Sequence, residues 1–422
     1  MRQNPHPAML NRSTTRALLL CTALSGLPMA ALAADTVVAD TMAPSTVAPV
    51  AALQNSANMP AGFSVETNIS QTFSYDSNPL RLTNGATAIY GSTTSPELIV
   101  RSKTPTSVAQ SDLRVDANAF DHSAYDSADV HEKLLLGRQN ERWDAHLDAN
   151  FDYDTTRTSE LNNYDINLPR VHSTRFGAAP QVSYHFNENN SALLYASAIA
   201  VSYDNRAYTD YNFYQASPGI EHRFDPQNTG NFTMNVQRYE TAEGPDSASN
   251  SYGPSLGWTS LLTPRMTLHA SAGALNSIST GANKSTSSDN TSLDYVFSGD
   301  LAYTGTVDSF DALARRAHEP FGNGTETLLD TFSLTGKHAL NEKLALTGEA
   351  KYQIADYPDE QPRINLDHGY VVGTGLTYKV MDDVDLSANY KYLNQSLTAA
   401  TGTVEEHVVM LGFNIRPSWS RN

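Results

Sequence analysis

Between Trp143 and Tyr153 the odd positions carry Trp, Ala, Leu, Ala, Phe and Tyr, and the even positions carry Asp, His, Asp, Asn and Asp. Side chains of a strand point alternately to its two faces, so this stretch predicts a strand with one apolar and one polar face. At about 11 residues it has the length a tilted strand needs to cross a bilayer's hydrocarbon layer, roughly twice the usual strand of a soluble sandwich. The same alternation opens at Phe63: Phe63, Val65, Thr67, Ile69, Phe73 and Tyr75 share one face, and Ser64, Glu66, Asn68, Ser70, Thr72 and Ser74 the other. It recurs through Val404–Arg416 and predicts about 18 strands over residues 63–416. The count falls to 16 if the two weak segments, Glu97–Arg101 and Val130–Arg138, are not strands.

The connections choose the architecture. Every second one is short, as at Gln139-Asn140-Glu141, Asn187-Glu188-Asn189-Asn190, Asp225-Pro226-Gln227-Asn228 and Leu340-Asn341-Glu342-Lys343. The alternate ones are longer and polar, notably Asp76–Thr94 and Asp154–His172. Short turns at one end and long loops at the other, with an even strand count, predict a transmembrane antiparallel up-and-down β-barrel whose first and last strands pair. Tyr153, Tyr184, Phe186, Tyr203, Phe224, Tyr239, Trp258, Tyr303, Tyr352 and Tyr378 are the candidates for the aromatic girdles of such a barrel.

The start of the chain changes the expected compartment. Arg2, Arg12 and Arg16 precede the short apolar run Ala17–Leu27, and Ala31-Leu32-Ala33 supplies small residues. Residues 1–33 are therefore expected to be a cleaved secretory signal. Residues 34–62, rich in Ala, Pro, Thr and Val, are expected to form a flexible periplasmic lead-in, and residues 417–422 a short tail. Cys21, the one cysteine, falls in the signal, so no disulfide framework and no thiolate metal site is expected beyond it. With 28 basic and 45 acidic residues the chain is acidic, which argues against a nucleic-acid partner.

Three stretches resemble the family named putative β-barrel porin 2. They are Tyr75-Asp76-Ser77-Asn78-Pro79-Leu80-Arg81 after the first strand, Ala314-Arg315-Arg316-Ala317-His318-Glu319-Pro320 near a late turn, and the strand-turn rhythm through Leu340-Asn341-Glu342-Lys343-Leu344. The resemblance spans residues 63–416. It implies an outer-membrane β-barrel taking part in exopolysaccharide export, with membrane lipid, the barrel-insertion machinery and a periplasmic export partner as its contacts. Phe413, on the apolar face of the last strand with Val409, Leu411 and Ile415, is the expected insertion signal, although Pro417–Asn422 follows it.

A barrel this wide holds water unless something plugs it. The residues expected to line it are Glu66, Arg114, Asp116, Asp144, His146, Asp148, Asp152, Glu221, Arg223, Glu349, Lys351, Asp385 and Lys391. Tyr211 and Phe213 share the polar face of their strand and could stack on sugar rings or pack beneath a loop. Acidic groups dominate this set, which favours cations and a neutral rather than an anionic glycan. The Asp144-x-His146-x-Asp148 spacing could hold a cation, but residues two apart always share a strand face, so wet filling explains it equally well. Phosphate-binding loops, zinc-protease helices and nucleophile elbows are absent from the sequence. No catalytic residue, metal or cofactor is therefore expected. The alternatives to export are a general or sugar-selective diffusion porin, and a structural barrel or adhesin acting through its loops. If the loop Asp154–His172 narrows the mouth, removing Ser159–Leu168 raises single-channel conductance; an unchanged conductance places the constriction elsewhere.

Overall fold

The computed structural model describes residues 62–156, 171–205, 208–241, 248–280, 290–320, 326–356, 366–397 and 402–417. The expected signal, the lead-in up to residue 61 and most of the tail lie outside these residues, as does Ser159–Leu168. The described chain forms 18 strands: β1 Gly62–Asp76, β2 Ile89–Lys103, β3 Ser107–Phe120, β4 Ser127–Gln139, β5 Trp143–Thr155, β6 His172–Asn187, β7 Asn190–Tyr203, β8 Tyr211–Arg223, β9 Asn228–Thr241, β10 Ala248–Thr263, β11 Met266–Thr280, β12 Asn290–Thr304, β13 Asp308–Pro320, β14 Glu326–Ala339, β15 Leu344–Asp356, β16 Leu366–Met381, β17 Val384–Leu397 and β18 Thr403–Ile415. Each pairs antiparallel with its chain neighbours, and β1 pairs with β18 from Ile69/Ile415 to Asp76/Val408, which closes the sheet into a barrel.

The tight turns share a local cause. Asn140 Oδ1 accepts the backbone N–H groups of Arg142 and Trp143 at 2.9 and 2.8 Å, and Asn187, Asp225 and Asn341 do the same for the residues two and three positions on. A short side-chain acceptor thus replaces the missing strand partner at the end of each hairpin. Hydrogen bonds from Asn228 and Gln227 hold the Asp225 carboxyl below the usual carboxylate range.

Register fixes the facing of every strand, because directly paired residues point the same way. The outer surface is apolar, with Ile69, Leu136, Phe151, Leu256, Phe332, Val372 and Leu411 among its exposed side chains. Aromatic pairs stand at both ends: Trp143 with Tyr184 at 4.6 Å between ring centroids and Phe224 with Trp258 at 5.2 Å at the short-turn end, and Tyr75 with Tyr90 at 5.0 Å at the other. The two weak segments are full strands, and β4, whose facing the pattern left open, turns Asp129, His131 and Lys133 inward and Val130, Glu132, Leu134 and Leu136 outward. Two expected girdle residues face the other way. Tyr203 pairs with Ser173 and Tyr239 with Phe213, both on the inner face. For Tyr203 the reason is that β7 inverts the usual pattern, whereas Tyr239 stands at the end of the polar inner face of β9 with Asn231, Thr233, Asn235 and Gln237. The outer face of β7 is Ala192, Leu194, Ala196, Ala198 and Ala200, and its larger residues, Leu193, Tyr195, Ile199 and Val201, point inside.

At Gly253 the backbones of β10 and β11 approach so closely that a Cβ would overlap the Ala274 carbonyl oxygen. Gly253→Val is expected to cost about 1–3 kcal/mol by overpacking. The cost is read as a lower temperature of the folded-to-unfolded shift in heat-modifiable gel migration; an unchanged transition contradicts the close approach.

Candidate functional site: the inner wall and its constriction

Two stretches of the inner wall differ in chemistry. On β3 to β5 the wall carries Asp112, Asp116, Asp129, Asp144, Asp148, Asp152 and Asp154. His131 sits within this stretch, with Nδ1 2.8 Å from Asp152 and Nε2 3.4 Å from Asp116, while Arg114 lies 3.2 Å from Asp116 and His146 2.7 Å from Asp144. On β8 to β11 the inner positions are mostly neutral and small, and they bond to one another. Ser217 donates to Asn235 at 2.7 Å, Asn235 donates to Ser255 at 2.9 Å, and Ser251 lies 2.8 Å from Ser277.

All the expected lining residues face inward by register. Glu66 pairs with Arg101 at 2.5 Å, a partner that lies in one of the weak sequence segments. Asp385 pairs with Arg416, just beyond β18. Glu221 and Arg223 stand on β8, Glu349 and Lys351 on β15, and Lys391 on β17. Glu66 and Asp385 are thus each neutralised by an arginine of a neighbouring segment. Tyr211 and Phe213 point inward but are 1 % and 0 % exposed, packed with Ile199, Val201 and Tyr239. They serve as an internal core and offer no free face to a sugar. Phe413 faces outward opposite Gln71.

Among the described residues, two segments enter the bore. The first follows β1. Asn78 donates from Nδ2 to the carbonyls of Leu82 and Glu405, at 2.9 and 3.0 Å, and accepts the Leu82 N–H at 2.9 Å. Arg81, in the left-handed region at φ 50°, reaches Glu406 on β18 at 2.8 Å, both side chains buried. The loop that was expected to run to Thr94 thus ends at Ile89 and is pinned to the seam where the barrel closes.

The second segment is the far end of β13–β14, and it forms the constriction. Pairing between β12 and β13 stops at Phe297/Arg316, although β12 continues to Asn290 and β13 to Pro320. Beyond that point both faces of the hairpin are buried, through Ala317, His318 and Glu319 on one strand and Thr327, Leu328 and Leu329 on the other. The β13 edge has thus parted from β12 and leans over the inner face, while β14 stays laddered to β15 as far as Leu328/Asp356. The outer-face residues of the hairpin's end touch the inner face of other strands. His318 Nε2 is 3.3 Å from Asp294 on β12, Leu328 packs on Leu275 of β11 and Val296 of β12, and Ser249 of β10 hydrogen-bonds Glu326. Its inner face points across the bore. Arg315 and Glu319 pair at 2.8 Å, Glu319 lies in the field of Arg175 and Lys351, and the charge of Arg315 reaches Tyr195 on β7. None of Arg315, His318, Glu319, Arg81 or Glu406 was among the expected lining residues. The first three do lie in one of the stretches that carried the family resemblance, and Arg81 in another.

Residues 322–417 match the family model described as putative beta-barrel porin 2. That match takes in β14 to β18 and the third of the resembling stretches, and neither of the first two. A sequence search of curated proteins finds no match. Among solved structures, the OccK2 (OpdF) protein of Pseudomonas aeruginosa, determined in complex with glucuronate, is 10% identical with a TM-score of 0.45, covering 84% of this chain and 99% of that one. The outer-membrane channel DcaP of Acinetobacter baumannii is 13% identical with a TM-score of 0.42, covering 85% and 100%. OccK11 (OpdR) of Pseudomonas aeruginosa is 13% identical with a TM-score of 0.42, covering 85% and 98%.

The buried Arg81–Glu406 pair and the acidic stripe generate separate predictions. Arg81→Ala strands the Glu406 carboxylate and is expected to cost about 3–5 kcal/mol, measured by urea unfolding in lipid; a loss below about 1 kcal/mol contradicts a buried pair. Replacing Asp144, Asp148 and Asp152 together by Asn is expected to move the zero-current potential in a salt gradient away from cation preference. An unmoved potential makes these carboxylates structural only.

Proposed function

We propose that this protein is an outer-membrane channel for hydrophilic solutes that takes part in exopolysaccharide export, with an uncharged glycan as its solute. The observation that carries the channel reading is a closed 18-stranded barrel, apolar outside and polar inside, whose bore is narrowed by its own β13–β14 end. An 18-stranded barrel without internal segments leaves a wide aqueous pore, so a segment anchored inside it marks a regulated path rather than a permanently open one.

The solute class is inferred from two stretches of the wall. The carboxylates of β3 to β5 disfavour a polyanion by focusing negative potential into a low-dielectric tube. The hydroxyls and amides of β8 to β11 match the donors and acceptors of a sugar chain without charge. The export direction rests on the family resemblance and on the match of residues 322–417. In this reading the lipid bilayer covers the outer belt, the insertion machinery recognises the last strand with Phe413, and a periplasmic partner delivers the glycan.

Currents recorded from the purified protein in a planar bilayer test the reading. An exporter is expected to stay shut or open rarely in salt alone, with cation preference when open, and a neutral oligosaccharide is expected to interrupt the current more than a uronate of the same length. A steady large conductance without blocks by either sugar points instead to a general diffusion porin. Failure to insert contradicts the channel altogether.

A further inference from the structure

We propose that the outer face of β6 to β11, at the short-turn end, holds one phospholipid, with an acyl chain in a groove of the wall and a primary-ammonium headgroup at the turns. The proposal rests on the membrane-barrel reading and names a resident lipid where that reading requires only a bilayer. The groove has a volume of about 750 Å³, inside the roughly 300–1,000 Å³ of small-molecule sites. Its walls are Phe186, Ile220, Phe224, Phe232, Leu256 and Trp258, all exposed. Its floor lies where the register lines up small residues. Gly230 falls between His222 and Trp258, and Ala270 and Ala272 stand beside Trp258 and Leu256. Phe224 and Trp258 stack at 5.2 Å across Gly230, where a Cβ would come within 2.9 Å of the Phe224 ring, so glycine lets the rings lie against the wall.

The occupant follows from where the groove lies and what surrounds its mouth. The groove opens onto the apolar outer belt, where the surrounding medium is hydrocarbon, so a chain fills it and not water. It crosses strands, and because barrel strands tilt by about 35–45° such a groove runs obliquely through the leaflet, the course of an acyl chain leaving its headgroup. The bulk hydrocarbon is as apolar as the groove, so preference for this place comes from packing against the rings and from the headgroup. The turns supply the headgroup contacts. Glu188 stands two residues after Phe186 in the β6–β7 turn and Asp225 follows Phe224 in the β8–β9 turn, both exposed, while Arg265 stands in the β10–β11 turn. His222 lines the groove with its Nδ1 2.9 Å from Asn190 Oδ1; donating there leaves Nε2 of the uncharged ring as an acceptor. Two carboxylates and an imidazole acceptor suit a primary ammonium, and Arg265 suits the phosphate beside it. A headgroup with a phosphate and no cation meets those carboxylates without a counter-charge.

Tryptophan quenching by phospholipids with brominated acyl chains tests this in detergent micelles of set lipid mole fraction. Trp143→Phe with Trp419→Phe leaves Trp258 as the one tryptophan. The comparison protein carries Tyr378→Trp, on the outer face of β16 at the same end but across the barrel, with all three natural tryptophans changed to Phe. With a brominated ethanolamine lipid, Trp258 is expected to reach half-quenching at a several-fold lower mole fraction than the reporter at position 378, which follows bulk lipid. Coincident curves overturn the site, because the groove then meets passing lipid alone. Weaker quenching of Trp258 than of the reporter also overturns it, because another copy of the chain then covers the groove. No quenching of either contradicts the membrane barrel itself. Ala270→Phe fills the floor and is expected to bring Trp258 back to the reporter's curve; an unchanged curve rejects the groove as the chain's seat. A brominated glycerol-headgroup lipid is expected to need a several-fold higher mole fraction than the ethanolamine lipid, and equal curves reject the ammonium contact. Asp225→Asn with Glu188→Gln, which keeps a side-chain acceptor in the β8–β9 turn, is expected to remove that difference; a difference that survives rejects the two carboxylates as its source.

Discussion

Every backbone N–H and C=O that faces hydrocarbon must find a partner within the protein, and the pairing of β1 with β18 over Ile69–Asp76 is what closes the sheet on itself. Without it the two terminal strands would be edges, and the alternation of faces along all the strands would have no inside to define. Closure also explains why the loop after β1 is anchored as it is. Asn78 and Arg81 tie it to Glu405 and Glu406 of β18, so the chain's first long connection reinforces the seam between its first and last strands.

The place where that pairing rule is broken is therefore informative. Between β12 and β13 the ladder stops short, and the freed end of β13–β14 recovers its losses inside the bore through Leu328, His318 and Glu326. Consecutive buried residues on both strands are the signature of an element surrounded on two sides. Among the described residues, strand ends thus narrow the bore. The aromatic cluster of Tyr211, Phe213 and Tyr239 fills another part of the bore, which leaves the neutral wall of β8 to β11 and the acidic wall of β3 to β5 as the chemically distinct surfaces.

The barrel was legible in the sequence because its signal is repetitive: period-two alternation and turn asymmetry each recur along the chain, so one ambiguous segment changes little. The inward facing of Asp144, His146 and Asp148 follows from the same parity. Where parity is weak, legibility ended. In β7 alanine on the outer face and Leu, Tyr and Ile on the inner one invert the rule, so Tyr203 looked like a girdle residue; Tyr239 is instead a ring at the end of the polar face of β9. The constriction was illegible for a different reason. Ala317, His318, Glu319 and Pro320 alternate no differently from a wall strand, and only the contacts of His318 with Asp294 and Leu328 with Leu275 show that the edge of β13 has parted from β12. Such long-range contacts have no local pattern. Charge pairing between Glu66 and Arg101 was hidden likewise, because the partner stands on a strand too weak in the sequence for its facing to be read.

The account stands on which side of the wall is wet. Single cysteines at Asp148 and Ala149, adjacent on β5 and facing opposite ways, test it directly in bilayers made with brominated lipids. The label at 149 is expected to be quenched by the lipid and inaccessible to a water-soluble thiol reagent, and the residue at 148 to react with that reagent and escape quenching. Equal access of the reagent to both positions, with no quenching at 149, would contradict a membrane-spanning barrel.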